Sequence, residues 1–102
     1  MTDFLKSLVD TIKKRKDEKS NKSYTYSLLK EGPDKCIDKL EEEFYEFKKS
    51  IKEKKNIVHE GADLMYHFIV ALESANTNFD DILDELEKRK EQSGFDEKKS
   101  RK

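Results

Sequence analysis

The sequence predicts an all-α fold, a bundle of about four to five helices. Apolar residues recur at three- and four-residue spacing along most of its 102 positions, and nowhere do they alternate over the length of a strand. The single proline, Pro33, sits beside Gly32 between two periodic segments, where a helix break is expected. Only 33% of the residues are hydrophobic, so one copy buries a modest core, and a homodimer is expected to complete the bundle. The chain reads as a single domain over 1–102, with residues 95–102 forming a basic tail.

Phe4, Leu5, Leu8, Val9 and Ile12 place a first helix over about Thr2 to Lys16. Asp17 to Lys22 carries no apolar spacing and reads as an exposed loop. Ser23 is a candidate cap for one or two turns through Leu29, and Pro33 suits the first turn of the next helix, where its missing N–H is not needed. That helix, from about Pro33 to Lys54, carries a stripe of Cys36, Ile37, Leu40, Phe44, Phe47 and Ile51. The following one, about Asn56 to Ser74, is apolar nearly all round, with Val58, Met65, Phe68, Ile69 and Leu72 on one face. Such a helix packs against more than one neighbour. After a turn at Asn76 to Asn78, Phe79, Ile82, Leu83 and Leu86 mark a last amphipathic helix that is expected to stop near Gly94.

Charged residues make up 44% of the chain, but 22 Lys and Arg nearly cancel 23 Asp and Glu, leaving a net charge of -1. This balance argues against a general nucleic-acid binder, despite the clusters at Lys13 to Lys16 and Lys98 to Lys102. The longest apolar run, Leu64 to Leu72, is far shorter than the ~20 residues that span a bilayer, and no signal-peptide pattern opens the chain. No membrane association is expected. The lone Cys36 cannot form an intrachain disulfide, and its spacing to Leu40 suggests a small buried apolar residue, in keeping with a soluble cytoplasmic protein.

The chemistry lies in two acidic clusters, Glu42-Glu43-Phe44-Tyr45-Glu46 and Glu60-Gly61-Ala62-Asp63. Helical residues three or four apart share a face, so Glu43 converges with Glu46 and Glu60 with Asp63. Glu41 points the other way. A run of acids is often no more than a solvated face. Here, however, the second cluster is surrounded by Val58, Ala62, Leu64, Met65, Phe68 and Ile69, and burying carboxylates in such company calls for a cation. Oxygen donors select Mg2+, with Mn2+ as a substitute; zinc would want Cys or His at ligand spacing, and no Glu-x-x-His pair suggests di-iron. Such an ion suits diphosphate chemistry, because it bridges phosphate oxygens and offsets their charge. His67, one turn after Asp63, either orients a carboxylate or a water, or is satisfied in the core. His59 points to another face and is given no role.

Lys35-Cys36-Ile37-Asp38-Lys39-Leu40-Glu41-Glu42-Glu43-Phe44-Tyr45-Glu46 and Glu60-Gly61-Ala62-Asp63-Leu64-Met65-Tyr66-His67 together resemble the all-α nucleotide pyrophosphohydrolases with their EExxE and ExxD motifs. The segments Ser23-Tyr24-Thr25, Leu28-Leu29-Lys30-Glu31-Gly32 and Ser93-Gly94-Phe95-Asp96-Glu97-Lys98-Lys99-Ser100-Arg101-Lys102 narrow the similarity to the phosphoribosyl-ATP pyrophosphatase family of histidine biosynthesis. The resemblance covers nearly the whole chain. It implies Mg2+-dependent hydrolysis of 1-(5-phosphoribosyl)-ATP at its α-β phosphoanhydride, giving 1-(5-phosphoribosyl)-AMP and pyrophosphate. It assigns metal binding to Glu43, Glu46, Glu60 and Asp63, with Glu42 as a further ligand or the base that activates water. Lys16, Lys35, Lys39, Arg89, Lys98 and Arg101 are then candidates for contacting a polyanionic substrate, and Lys39, one turn before Glu43, has the best claim. The resemblance also implies a homodimer, and association with the phosphoribosyl-AMP cyclohydrolase of the next pathway step. Glu41, Phe44, Tyr45 and Gly61 depart from the smaller or better helix-forming residues common in the family. Two rivals remain: a house-cleaning nucleoside triphosphate pyrophosphohydrolase using the same acids, and a noncatalytic helical interaction module whose acids are surface charge.

Overall fold

The computed structural model describes residues 2–90, which form five α-helices and, among the described residues, no strand. The expectations for the tail at 95–102, for the stop at Gly94, and for Lys98 and Arg101 lie outside the described residues.

α1 (Asp3–Glu18) starts where the Thr2 hydroxyl accepts a hydrogen bond from the Leu5 N–H at 3.1 Å. It runs two residues beyond the expected end, through Arg15, whose guanidinium pairs with Glu18 at 2.9 Å, and stops at Lys19 in the left-handed region. α2 (Tyr24–Glu31) is capped by Ser23, whose hydroxyl accepts from the Tyr26 N–H at 3.0 Å. Gly32, at φ 91°, turns the chain directly into Pro33 at the start of α3 (Pro33–Glu53). α4 (Ile57–Ser74) and α5 (Phe79–Arg89) complete the described chain.

Val9, Ile12, Leu28, Leu29, Cys36, Ile69, Val70 and Phe79 form the core, with α1 and α2 lying against α4. Phe79 reaches it edge-on to Phe68, with ring centroids 6.2 Å apart. Cys36 is buried as expected; its thiol lies 3.4 Å from the Leu28 carbonyl oxygen, to which it donates, and burial pushes its pKa up. No helix among the described residues is long and apolar enough to cross a membrane.

The stripe expected along α3 divides in the structure. Cys36 is sealed in the core, but Ile37, Phe44 and Ile51 are exposed, as are Val58, Met65 and Phe68 on α4. The reason is geometric: α1 and α2 cover one side of the α3–α4 pair, and no helix among the described residues packs as extensively on the other. The result is an apolar groove of about 500 Å³ between Leu40, Phe44, Leu64, Met65 and Phe68, with Glu41 at its edge.

Candidate metal centre

α3 and α4 make the most extensive helix pair of the fold, joined by only 54–56. Lys54 and Asn56 take φ of 57° and 58°. Left-handed backbone suits Asn, whose short polar side chain tolerates it, and costs more at Lys54. The turn is held by Lys54 N–H, shared between Ile51 and Ser50 carbonyls, and by Lys55 N–H to the Ser50 carbonyl at 3.1 Å. Folding the chain back so tightly sets the acids of one helix against those of the other.

Glu46 and Glu60 line the same open cleft of about 160 Å³ beside this turn, together with Lys49, Ser50, Glu53, Lys55 and Asn56. Deeper along the pair, Glu43 has only 21% of its side chain exposed. Its pKa is raised, first by burial and then by the charges of Asp63, Glu60, Glu42 and Glu46. The pairing expected from sequence therefore exists as an electrostatic cluster that spans both helices. Crowded carboxylates of this kind fit a divalent cation, which would relieve the repulsion they exert on one another.

The premise of deep burial does not hold within one chain. Val58 is 87% exposed, Met65 and Ala62 are exposed, and Glu42 and Glu46 face solvent. Only Glu43, Glu60 and Asp63 are half-buried. Of the apolar neighbours of the second cluster, Leu64, Met65 and Phe68 line the uncovered groove and Ile69 belongs to the core.

The tightest set of ligand atoms includes a residue the sequence reading passed over. One ligand atom from each of His59, Glu60 and Asp63 lies within 4.8 Å of the others, and His59 Nε2 is 3.3 Å from Asp63 Oδ2. The i,i+4 spacing from His59 to Asp63 carried that signal. Lys49 and Lys55, which share the cleft with Glu46 and Glu60, were also overlooked.

His67 is buried, and burial lowers its pKa, with Lys39 adding to the effect against the pull of Asp63 and Glu42. Its Nε2 lies 3.8 Å from Glu43 Oε1, beyond hydrogen-bond reach, so a neutral imidazole touches the carboxylate without forming an ion pair. Tyr66 packs edge-on to it at 5.0 Å, and Tyr24 stacks on Tyr66 at 6.3 Å. Thr25 and Tyr66 share a hydroxyl hydrogen bond, which ties α2 to α4 beside the acids.

The basic candidates separate. Lys39 Nζ donates to Glu42 Oε2 at 3.1 Å, and this bond, followed by the charges of Glu42, Tyr24 and Glu43, raises its pKa. Lys35 is exposed in the first turn of α3. Lys16 instead donates to Asn76 at 3.2 Å beyond the C-terminal end of α4, about 20 Å along that helix from Asp63 at 1.5 Å per residue, and Arg89 pairs with Glu85 on α5 at 3.4 Å. The single chain thus brings Lys39 to the acid cluster and holds Lys16 away from it.

The phosphoribosyl-ATP pyrophosphohydrolase family matches this sequence over residues 5–90. The phosphoribosyl-ATP pyrophosphatase of Ruegeria pomeroyi is 41% identical over 100 residues, covering 96% of this chain and 95% of its own. That of Nitrosospira multiformis is 40% identical over 102 residues, with 98% and 84% covered, and that of Geotalea daltonii 41% over 101 residues, with 97% and 95%. The chain belongs to the phosphoribosyl-ATP pyrophosphohydrolase family.

Proposed function

We propose that this member of the family hydrolyses 1-(5-phosphoribosyl)-ATP to 1-(5-phosphoribosyl)-AMP and pyrophosphate, the second step of histidine biosynthesis. The observation that carries the reading is the meeting of Glu43 with Asp63 and of Glu46 with Glu60 across the α3–α4 turn, in a chain whose relatives carry that name.

Glu43, Glu46, Glu60 and Asp63 are the residues that would hold a divalent cation, Mg2+ by their oxygen donors and Mn2+ as its substitute. Bound there, the ion would draw in the triphosphate and offset the charge that builds on it during cleavage. Lys39 is the foremost contact for phosphate, with Lys35 one turn earlier on α3. In the free protein Lys39 is engaged by Glu42. A phosphate that attracts Lys39 releases the exposed Glu42 to take a proton from the attacking water. His67, its pKa lowered by burial, packs edge-on against Tyr24 and Tyr66 and lies beside the Glu43 carboxylate.

The uncovered groove supports a homodimer. Six large apolar side chains exposed on one side of α3 and α4, namely Ile37, Phe44, Ile51, Val58, Met65 and Phe68, are more than a monomer usually leaves in water. A second copy laid on that face would also exclude water from the acids beside it. Association with the cyclohydrolase that consumes the product is a further proposal, drawn from the family resemblance alone.

The test is pyrophosphate release from phosphoribosyl-ATP with Mg2+, measured beside ordinary and damaged nucleoside triphosphates. Asp63→Asn serves as the control. Preferential cleavage of phosphoribosyl-ATP that Asp63→Asn abolishes is the expected result. Preferential cleavage of other triphosphates would move the chain to a house-cleaning role, and an Asp63→Asn variant of full activity would remove the acids from the chemistry.

A further inference from the structure

His59 stands in the first turn of α4, beside Glu60 and one turn before Asp63, with 73% of its side chain exposed. As an exposed i,i+4 pair with Asp63 it contributes little to stability. Its position relative to the acids is more telling. Its Nε2 lies 3.3 Å from Asp63 Oδ2, and the three ligand atoms of His59, Glu60 and Asp63 fall within 4.8 Å of one another. Around one six-coordinate ion with bonds of about 2.1 Å, neighbouring donors sit about 3 Å apart and opposite donors about 4.2 Å. The three side chains therefore need only small rotations to share an ion, and an exposed imidazole is free to make its own.

We propose that His59 is a nitrogen ligand of the cation site, which raises the site's affinity for Mn2+ and Co2+ relative to that for Mg2+. The proposal rests on the reading above in which Glu60 and Asp63 hold the ion. Mg2+ is a hard ion that keeps oxygen ligands and gives up its water reluctantly. An imidazole nitrogen gains it little. Mn2+ and, more strongly, Co2+ accept nitrogen while still binding carboxylate and phosphate oxygen, and their affinities rise in that order. One nitrogen in a site otherwise built of carboxylates thus shifts the relative affinities for ions without changing which anion the ion can hold.

The test uses the full chain, freed of metal and without substrate. Calorimetric titrations with MgCl2, MnCl2 and CoCl2 compare the wild type with His59→Ala and Asp63→Asn, and a two-dimensional imidazole nitrogen spectrum follows addition of diamagnetic Zn2+. His59→Ala is expected to weaken Co2+ binding by about tenfold or more and Mg2+ binding by less than about twofold. Zn2+ is expected to shift His59 Nε2 and leave the buried His67 in place. Equal losses for Co2+ and Mg2+, or an unmoved His59 Nε2, would overturn the proposal. If Asp63→Asn weakens no ion at all, the acid site itself is wrong, and that failure is distinct from a failure of His59 alone.

Discussion

Replacing Glu43 with Gln should stabilise the metal-free protein while removing its activity. Glu43 has only a fifth of its side chain exposed, and four other carboxylates, Asp63, Glu60, Glu42 and Glu46, act on it by like charge. Repulsion between facing like charges on helices amounts to about 0.2–0.5 kcal/mol per pair, so the three acids that can face Glu43 (Asp63, Glu60 and Glu46) give about 0.6–1.5 kcal/mol, or a rise in Tm of about 3–10 °C for a domain of this size. A Gln amide at a fifth exposed still reaches water for its hydrogen bonds. The pH dependence follows from the sign of the shift. The folded pKa of Glu43 is raised above its ordinary 4.5, so the folded state takes up this proton more readily than the unfolded one. The stability tied to that proton is fully present below the unfolded value and is lost as pH rises through the folded one. The advantage of Glu43→Gln therefore belongs to pH above the folded pKa and disappears near pH 4, where the wild-type carboxyl is itself neutral. It also shrinks with salt, and with added divalent cation, which stabilises only the protein that binds it. Thermal unfolding followed by circular dichroism, in chelator at low salt and fixed protein concentration, provides the assay. A Glu43→Gln protein no more stable than wild type at neutral pH, or one whose advantage persists unchanged at pH 4, would refute the account of a strained acidic cluster.

Two further predictions concern the same helix pair. At Gly61, a Cβ would meet Phe47 Cε1 at 3.5 Å and Cδ1 at 3.9 Å, ordinary contact distances, so Gly61→Ala is expected to add about 0.5–1 kcal/mol by restricting the unfolded chain and favouring helix; a higher urea midpoint at unchanged m checks it. Phe44, 58% exposed at the edge of the apolar groove, is expected to lie in the dimer interface, so Phe44→Glu should yield a monomer of unchanged helix content by sedimentation velocity and circular dichroism, and a variant that still sediments as a dimer would place the interface elsewhere.

The helices were legible because their signals are local. Period, caps and breakers read from the sequence place all five helices, with Ser23 as the cap of α2 and Gly32-Pro33 as the junction into α3. Within the described residues α1 and α2 each run two residues past the expected end, α1 into a segment whose lack of apolar spacing reads as loop and where Arg15 pairs with Glu18. Periodicity measures only the apolar stripe and is blind to a last turn held by side-chain ion pairs. Burial was less legible for a different reason. Ile37, Phe44 and Ile51 fall on the α3 stripe just as Cys36 does, but whether a stripe is covered depends on how many neighbours the helix has, and that information is not in the helix itself.

The same distinction explains what was and was not legible in the candidate site. Glu43, Glu46, Glu60 and Asp63 are paired within their helices by spacing, and spacing alone suffices to group them two and two. That the two groups meet depends on the turn at 54–56, where Lys54 and Asn56 adopt left-handed backbone in a stretch whose composition gives no glycine to announce it. The burial argument for a cation rests on an incomplete premise: Met65 lines the uncovered groove and Val58 is exposed, so the case for an ion rests instead on the burial of Glu43 and the repulsion of the carboxylates around it. His59 escapes a reading that starts from Glu60, because adjacent helical residues diverge by 100°. Measured against Asp63, one turn on, the same imidazole falls within the ligand set. What an acidic motif holds is therefore decided by the residue a turn away as much as by the acids that define it, and at His59 that residue brings nitrogen to a site otherwise made of oxygen.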